Sequence, residues 1–265
     1  MIFLMFVLPV LKSKNAGSLK SLPKLVKRPA LMGIYLLTVI MITAHFTGYT
    51  YIEPFMINIA GLDEKVATIV LLIFGAAGIG GSLLFSRYNE KRSLFLMGTS
   101  LICVSISLSL MYSLGINTYT IFLLCIFWGI TFMILNLVLQ DTVMKVAPDA
   151  TAVAVSIYSG IYNVGIGSGA LVGGTVSTHA GTQYVGLVGF LISILAISIY
   201  FLVIRRYLKE KKIKKSFLIL QFQKRVNEYL SNKTTEDISL LLICAAIYPA
   251  KYSKRGLSRR IQETE

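Results

Sequence analysis

Residues 31–59 read LMGIYLLTVIMITAHFTGYTYIEPFMINI, an apolar run long enough to cross a lipid bilayer. A spanning helix needs about 20 predominantly apolar residues. The run nevertheless carries His45, Tyr49 and Glu53, which are spaced four residues apart and would share one face of a continuous helix. Ionisable groups at membrane depth are costly unless they face other helices or a wet cavity. This face is therefore the first candidate for a solute pathway.

The depth of each polar residue follows from the rise of an α-helix. At about 1.5 Å per residue from Ala30, His45 lies about 22 Å and Glu53 about 35 Å along the helix, for a hydrocarbon core of about 30 Å. Pro54 predicts a break next to Glu53, because proline removes a backbone donor and clashes with the preceding turn. Glu53 is then either an outer gate or proton-coupling carboxylate, or a hydrated acid at the break. His45 is either a proton relay or a hydrogen-bonded structural histidine.

The composition indicates an all-α integral membrane protein. The 265 residues are 55% hydrophobic and 14% charged, with a mean hydropathy of +0.72, which is too apolar for an ordinary soluble domain. The net charge of +14 is concentrated in residues 12–28 and after residue 204, and basic clusters beside spans set topology or bind lipid phosphates. We expect membrane lipids, and not nucleic acid, as the partner of this charge.

The apolar segments divide the chain into four regions. We expect the end of a truncated helix at residues 1–10, a basic cytoplasmic linker at 11–30, a six-helix transmembrane domain at 31–206 and a basic tail at 207–265. The positive-inside rule places both ends of the six-helix block in the cytoplasm. The spans are expected at residues 31–59, 66–85, 94–114, 119–139, 152–176 and 184–204, with a polar connection carrying Arg87, Lys91 and Arg92 between the second and third.

Glycine is dense in two of these spans. The second carries Gly75, Gly78, Gly80 and Gly81, and the fifth repeats Gly165, Gly169 and Gly173. Glycine costs about 1 kcal/mol relative to alanine inside a helix, so this density indicates close approach of helix backbones.

The fourth span combines aromatic rings with amides on one stripe. Trp128, Phe132, Asn136 and Gln140 follow at four-residue spacing, and Asn163 lies about 17 Å into the fifth span, near the midplane. Sugars suit such surfaces, because their C–H faces lie on rings while amides donate and accept hydrogen bonds. Plain packing of Trp128 and interhelical hydrogen bonds of the two asparagines are the alternatives.

Enzyme signatures are missing from the sequence. It contains no G-x-S-x-G, no H-E-x-x-H and no P-loop, and its three cysteines are scattered without nearby histidines. We therefore expect neither catalysis nor a metal or other cofactor.

Several ordered strings resemble the C-terminal half of a major facilitator superfamily transporter, in particular the bacterial sugar efflux transporters that export arabinose and IPTG. The strings are GSLKSLPKLVKRPALMGIYLLTVIMITAHFTGYTYIEPFMINIAG at 17–61, FWGI at 127–130, VAPDAT at 146–151 and SGIYNVGIGSGALVGG at 159–174. The resemblance covers residues 1–206. It implies one half of a twelve-helix fold in the bacterial inner membrane, exporting arabinose-like sugars or related small molecules against an inward proton flow and so lowering toxic intracellular sugars.

Combined with the residue pattern, the resemblance yields a site hypothesis. The solute would lie in a midplane cavity lined by His45, Tyr49, Trp128, Asn136 and Asn163, and Glu53 and His45 would serve proton coupling or gating. A missing N-terminal half or a second copy would supply the opposite wall. The alternative is a truncated membrane protein that does not transport, or an assembly partner.

Overall fold

The computed structural model describes residues 22–114 and 117–207, together with Gln221. The chain divides into two compact units, Met1–Lys209 and Glu210–Glu265, and the description below concerns the first. The predicted truncated helix at 1–10, the first half of the basic linker and nearly all of the tail at 207–265 lie outside the described residues.

Regular structure in the described part of the chain is helical, as predicted from the composition. Two short elements flank the last helix, a 3₁₀ turn at Thr182–Tyr184 before it and a π-helical turn at Tyr200–Ile204 after it. The α-helices are α1 at Leu22–Val26, α2 at Pro29–Tyr49, α3 at Ile52–Asn58, α4 at Glu64–Leu114, α5 at Thr118–Val146, α6 at Thr151–His179 and α7 at Val185–Ile199.

Six helical segments in this part are long and apolar enough to cross a membrane, which confirms the predicted number. Each begins within about two residues of its predicted start. The ends differ more, most of all in the fourth, which continues to Val146. They are Pro29–Asn58, Glu64–Glu90, Arg92–Ser113, Thr118–Val146, Thr151–His179 and Thr182–Tyr207.

The first span is broken earlier than the sequence predicted. Helix α2 ends at Tyr49 and α3 begins at Ile52, with Tyr51 between them at φ −109° and ψ 11°. Pro54 clashes with the carbonyl group four residues before it, which belongs to Thr50, so the irregular backbone lies ahead of the proline. The expectation of one continuous face through Glu53 is therefore wrong, because Glu53 belongs to a separate short helix.

The polar connection predicted between the second and third spans is present and very short. The range α4 consists of two helices that meet there, and Arg92 at the kink leaves helical geometry, at φ −129° and ψ 29°. A single residue is thus enough to redirect the chain, since the helix resumes immediately on both sides of it.

The glycine repeat of α6 makes the close helix contact that the sequence predicted, and the structure shows that its partner is α2. A Cβ atom added at Gly169 would lie 2.6 Å from the carbonyl oxygen of Thr43, and one added at Gly173 would lie 2.6 Å from that of Thr47. Such approach of two backbones is possible only without side chains at these positions. In the second span the expectation holds for Gly81, whose added Cβ would meet the backbone of Ile130, whereas Gly75 faces open space.

Candidate functional site

An aromatic cluster encloses a fully buried histidine within the bundle. It consists of five rings from three helices: His45, Tyr49, Phe74, Trp128 and Phe132. The imidazole of His45 stacks on the ring of Phe132 with centroids 3.5 Å apart and on that of Tyr49 at 5.2 Å. The Trp128 ring stands edge-on to it at 5.3 Å. Both His45 and Trp128 are fully buried, so rings replace solvent on the faces and edges of the imidazole.

One hydrogen bond fixes the tautomer of His45. The Nε1–H of Trp128 lies 3.2 Å from Nδ1 of His45, and indole nitrogen can only donate. Nδ1 is therefore the acceptor, and the proton of the neutral imidazole resides on Nε2. Nε2 is buried and has no hydrogen-bond partner among residues 22–114 and 117–207. Within the described part of the chain, the cluster thus contains one buried donor without an acceptor.

A polar cleft of about 240 Å³ lies between α5 and α6. Its lining combines carboxamides and hydroxyl groups, with no side chain that carries a formal charge at neutral pH. The lining residues are Asn136, Gln140, Tyr158, Ser159, Tyr162 and Asn163.

Hydrogen bonds in the polar cleft run through Asn136. The hydroxyl of Tyr158 donates to Oδ1 of Asn136 at 3.4 Å, and Nδ2 of Asn136 donates to the hydroxyl of Tyr162, also at 3.4 Å. Both bonds are longer than the usual 2.7–3.2 Å or so, so each is weaker than an ordinary hydrogen bond although the carboxamide is bonded on both sides. Asn163 is exposed and donates from Nδ2 to the carbonyl oxygen of Ser159 at 2.8 Å.

The structure divides the predicted site residues between these two regions. Asn136 and Asn163 line the polar cleft, whereas His45, Tyr49 and Trp128 belong to the aromatic cluster. Glu53 contributes to neither and is exposed on α3. The two regions are adjacent along α5, because Phe132 of the cluster and Asn136 of the cleft are one helical turn apart.

Sequence reasoning missed most of the side chains that α6 brings to the cleft. Tyr158 and Tyr162 form one four-residue pair and Ser159 and Asn163 another, so all four project from neighbouring faces of α6. Polar residues that recur at this spacing within an apolar span could have indicated the cleft from the sequence. Of the four, the sequence analysis selected only Asn163.

An ion pair lies where α2 begins and α5 leads into α6. Arg28 donates from Nη2 to Oδ2 of Asp149 at 2.6 Å and from Nη1 to the carbonyl oxygen of Val146 at 3.1 Å. The hydrogen bond from Arg28 holds the pKa of the Asp149 carboxyl below its ordinary value of 3.8, and the same bond raises the pKa of Arg28. The start of α2 is thus tied to the loop between α5 and α6.

A second polar group joins α4 to α5 near the same end. The side chain of Asn89 donates to Oδ2 of Asp141 at 2.7 Å, and Lys145 pairs with the same oxygen at 2.5 Å. No group of three or more histidine, cysteine or acidic residues able to hold a metal ion occurs within the described ranges.

Two comparisons with known proteins identify the family of the chain. The family model described as Major Facilitator Superfamily matches residues 1–158. A curated protein of Pasteurella multocida (strain Pm70), named "Probable sugar efflux transporter", is 49% identical over 201 residues, which are 76% of this chain and 50% of that protein. The chain therefore spans about half the length of the curated relative it matches.

Proposed function

Since the chain belongs to the major facilitator superfamily, we propose that it forms half of a sugar efflux transporter that exports arabinose-like sugars or related small solutes. The polar cleft carries this proposal, because it is an uncharged, hydrogen-bonding recess between two membrane-length helices. The name of the Pasteurella multocida relative supports a sugar as the solute. Family membership points to a transporter rather than an enzyme.

In this proposal Asn136 and Asn163 contact the solute directly. His45, Tyr49 and Trp128 form the dry end of the site, which packed rings separate from the solute. Alternating access would come from rocking of two six-helix halves around this point. The second half would be a separate chain with the missing six helices, or a second copy of this chain.

Proton coupling is proposed at Glu53 in preference to His45. Glu53 is exposed in the first turn of α3, next to the helix break, where water can deliver a proton. His45 is enclosed by rings and has no ion pair within the described residues. In this arrangement His45 acts on gating through its hydrogen bond with Trp128.

We also propose the bacterial inner membrane as the location, with both ends of the six-helix block in the cytoplasm, because basic residues concentrate beside those ends.

Export in everted vesicles tests the transport proposal. Vesicles from cells that express the chain should take up labelled arabinose faster than control vesicles, and more so when an inside-acid proton gradient is imposed. Asn163→Ala should lower that rate, whereas Asn58→Ala, which alters an exposed asparagine at the end of α3, should not. Uptake equal to that of vesicles without the protein would contradict the proposal.

The alternative function, an assembly partner that does not transport by itself, is favoured by the bare face of α6. Only 17% of its apolar window is buried, and added Cβ atoms at Gly160 and Gly167 would meet nothing within 4 Å. Under this alternative, uptake would require co-expression of the N-terminal half of a full-length relative. Transport by the chain alone would contradict it.

A further inference from the structure

The hydrogen-bonding capacity of Asn136 exceeds what its neighbours use. Its Oδ1 has two lone pairs and accepts one bond, from Tyr158, while its Nδ2 has two hydrogens and donates one, to Tyr162. One acceptor site and one donor site therefore stay available on a single planar group. The hydroxyl hydrogen of Tyr162 is available as well, because that hydroxyl already serves as an acceptor.

Paired donors and acceptors of this kind match two adjacent hydroxyl groups. One hydroxyl of a vicinal diol can donate to Oδ1 while its neighbour accepts from Nδ2, so the carboxamide binds both at once. A single hydroxyl can use only one edge of the amide at ideal geometry. The length of the bonds to the two tyrosines, 3.4 Å each, favours this use, because a solute hydroxyl at ordinary distance would bind more strongly than either.

The tyrosines hold the carboxamide from both sides. Tyr158 is buried, with 3% of its surface exposed, and its ring lies 6.0 Å from that of Tyr162, one turn further along α6. Two hydroxyls anchored one turn apart on a helix limit rotation of an amide suspended between them. The amide plane is thus set before a solute arrives, which lowers the entropy lost on binding.

The other properties of the polar cleft restrict the solute further. None of its six lining residues is acidic or basic, so a charged solute would find no side chain of opposite charge in the cleft. Its volume of about 240 Å³ lies below the range of roughly 300–1,000 Å³ that is typical of sites for drug-sized ligands. An uncharged solute of monosaccharide size fits both limits.

We propose that Asn136 recognises a vicinal diol of an uncharged monosaccharide, with Tyr158 and Tyr162 as positioning residues that fix the plane of its carboxamide. This inference rests on the proposed function and names the residues and the chemical feature that select the solute. It assigns no contact with the solute to the aromatic cluster.

Equilibrium binding to the full 265-residue chain in lipid nanodiscs tests the inference. The probes are labelled arabinose, a set of monodeoxy arabinoses that each lack one hydroxyl, and arabinose 5-phosphate. Wild type should bind at least one monodeoxy analogue roughly three- to tenfold more weakly than arabinose, as expected for one lost neutral hydrogen bond, and should not bind the phosphate. Asn136→Leu should bind arabinose and that analogue equally weakly.

The tyrosine variants separate positioning from mere packing. Tyr158→Phe and Tyr162→Phe keep the rings and should reduce the ratio between arabinose and the sensitive analogue, while melting temperature and helicity stay close to wild type. Tyr119→Phe changes a tyrosine that is 82% exposed and should leave the ratio unchanged. Because Tyr158 is buried, Tyr162→Phe decides the outcome if Tyr158→Phe unfolds.

The possible results distinguish this inference from the proposed function. If Asn136→Leu discriminates the analogues as strongly as wild type, or if the phosphate binds as well as arabinose, the diol inference is overturned while sugar transport can still hold. If arabinose binds with the predicted pattern but vesicles do not take it up, only the transport proposal fails. If wild type binds no pentose, both fail together.

Discussion

Helix α5 carries two regions on one stripe that differ in almost every physical respect. At Trp128 and Phe132 the stripe is enclosed by rings from α2 and α4, with His45 at the centre. One turn further, at Asn136 and Gln140, it lines a cleft with the hydroxyls and amides of α6. The four-residue period is the same in both regions, so the neighbouring helices decide which part of the stripe is dry. The first region is buried, whereas the second includes exposed side chains of α6.

Truncation of Trp128 should produce the largest effect and test the structural role of the aromatic cluster. Trp128→Ala removes a fully buried ring and the hydrogen bond to Nδ1 of His45, so Nδ1 joins Nε2 as a buried ring nitrogen without a partner. Deleting a buried aromatic side chain costs about 3–5 kcal/mol of unfolding free energy. Denaturant titration in mixed micelles, followed by circular dichroism, measures the loss.

The neighbouring residue supplies a matched control. Phe127 is 43% exposed, and Phe127→Ala should change the free energy of unfolding by no more than about 0.5 kcal/mol. Equal losses for the two variants would show that the cluster is not the tightly packed region.

Trp128 is the chain's one tryptophan, so its emission reports on the cluster alone. An emission change on arabinose binding would show that the solute reaches the cluster, and the division between the two regions would fail.

A methyl group on α6 should have the second-largest effect and act on the polar cleft. Gly169→Ala places a Cβ atom 2.6 Å from the carbonyl oxygen of Thr43, so α6 must move away from α2. Overpacking of this kind typically costs about 1–3 kcal/mol. Because α6 carries Tyr158 and Tyr162, arabinose binding should weaken while the emission of Trp128 changes little.

Two residues away, the same substitution should be harmless. Gly167→Ala adds its Cβ atom where nothing lies within 4 Å, and alanine favours a helix by up to about 1 kcal/mol over glycine. We therefore expect unchanged or slightly raised stability, with normal arabinose binding. A comparable loss in both variants would mean that the α2–α6 contact does not set the position of the cleft.

The sequence predicted the number and position of the helices better than the contacts and breaks within them. Length and hydropathy located six spans, and the repeat at Gly165, Gly169 and Gly173 predicted a close helix contact, because both signals are local and follow from bilayer thickness and backbone geometry. The break near Pro54 was predicted but misplaced by a few residues. The turn at Arg92 was predicted as a loop, since nothing in the composition shows that only one residue leaves helical geometry.

The candidate site was predictable only in part for the same reason. The sequence selected Asn136 and Trp128 together by periodicity, yet the first faces the tyrosines of α6 and the second faces His45 of α2. Which partner a stripe meets depends on contacts between residues about 22 to 83 positions apart, and a single sequence does not display them. Polar residues at four-residue spacing in α6 carried the missing information about the cleft.

The ion pair at Arg28 should produce the smallest effect, and it tests whether the two regions are coupled. Arg28 begins the helix of the aromatic cluster and bonds both Asp149 and the carbonyl oxygen of Val146, in the loop that leads from α5 to α6. Since the pKa of Asp149 is lowered in the folded state from 3.8, its contribution to stability is complete above that value. The contribution is lost as the pH falls through the lowered pKa.

Asp149→Asn should therefore flatten the decline of the melting temperature with acid below about pH 4, and Arg28→Gln should have the same result. The shift should be small, because an exposed pair gains little in water and is screened by salt. The double variant should match either single variant, since the two side chains act on one bond. If arabinose binding weakens in Asp149→Asn at neutral pH, the loop transmits position from α2 to the cleft. Unchanged binding would mean that the cleft depends on the α2–α6 glycine contact alone.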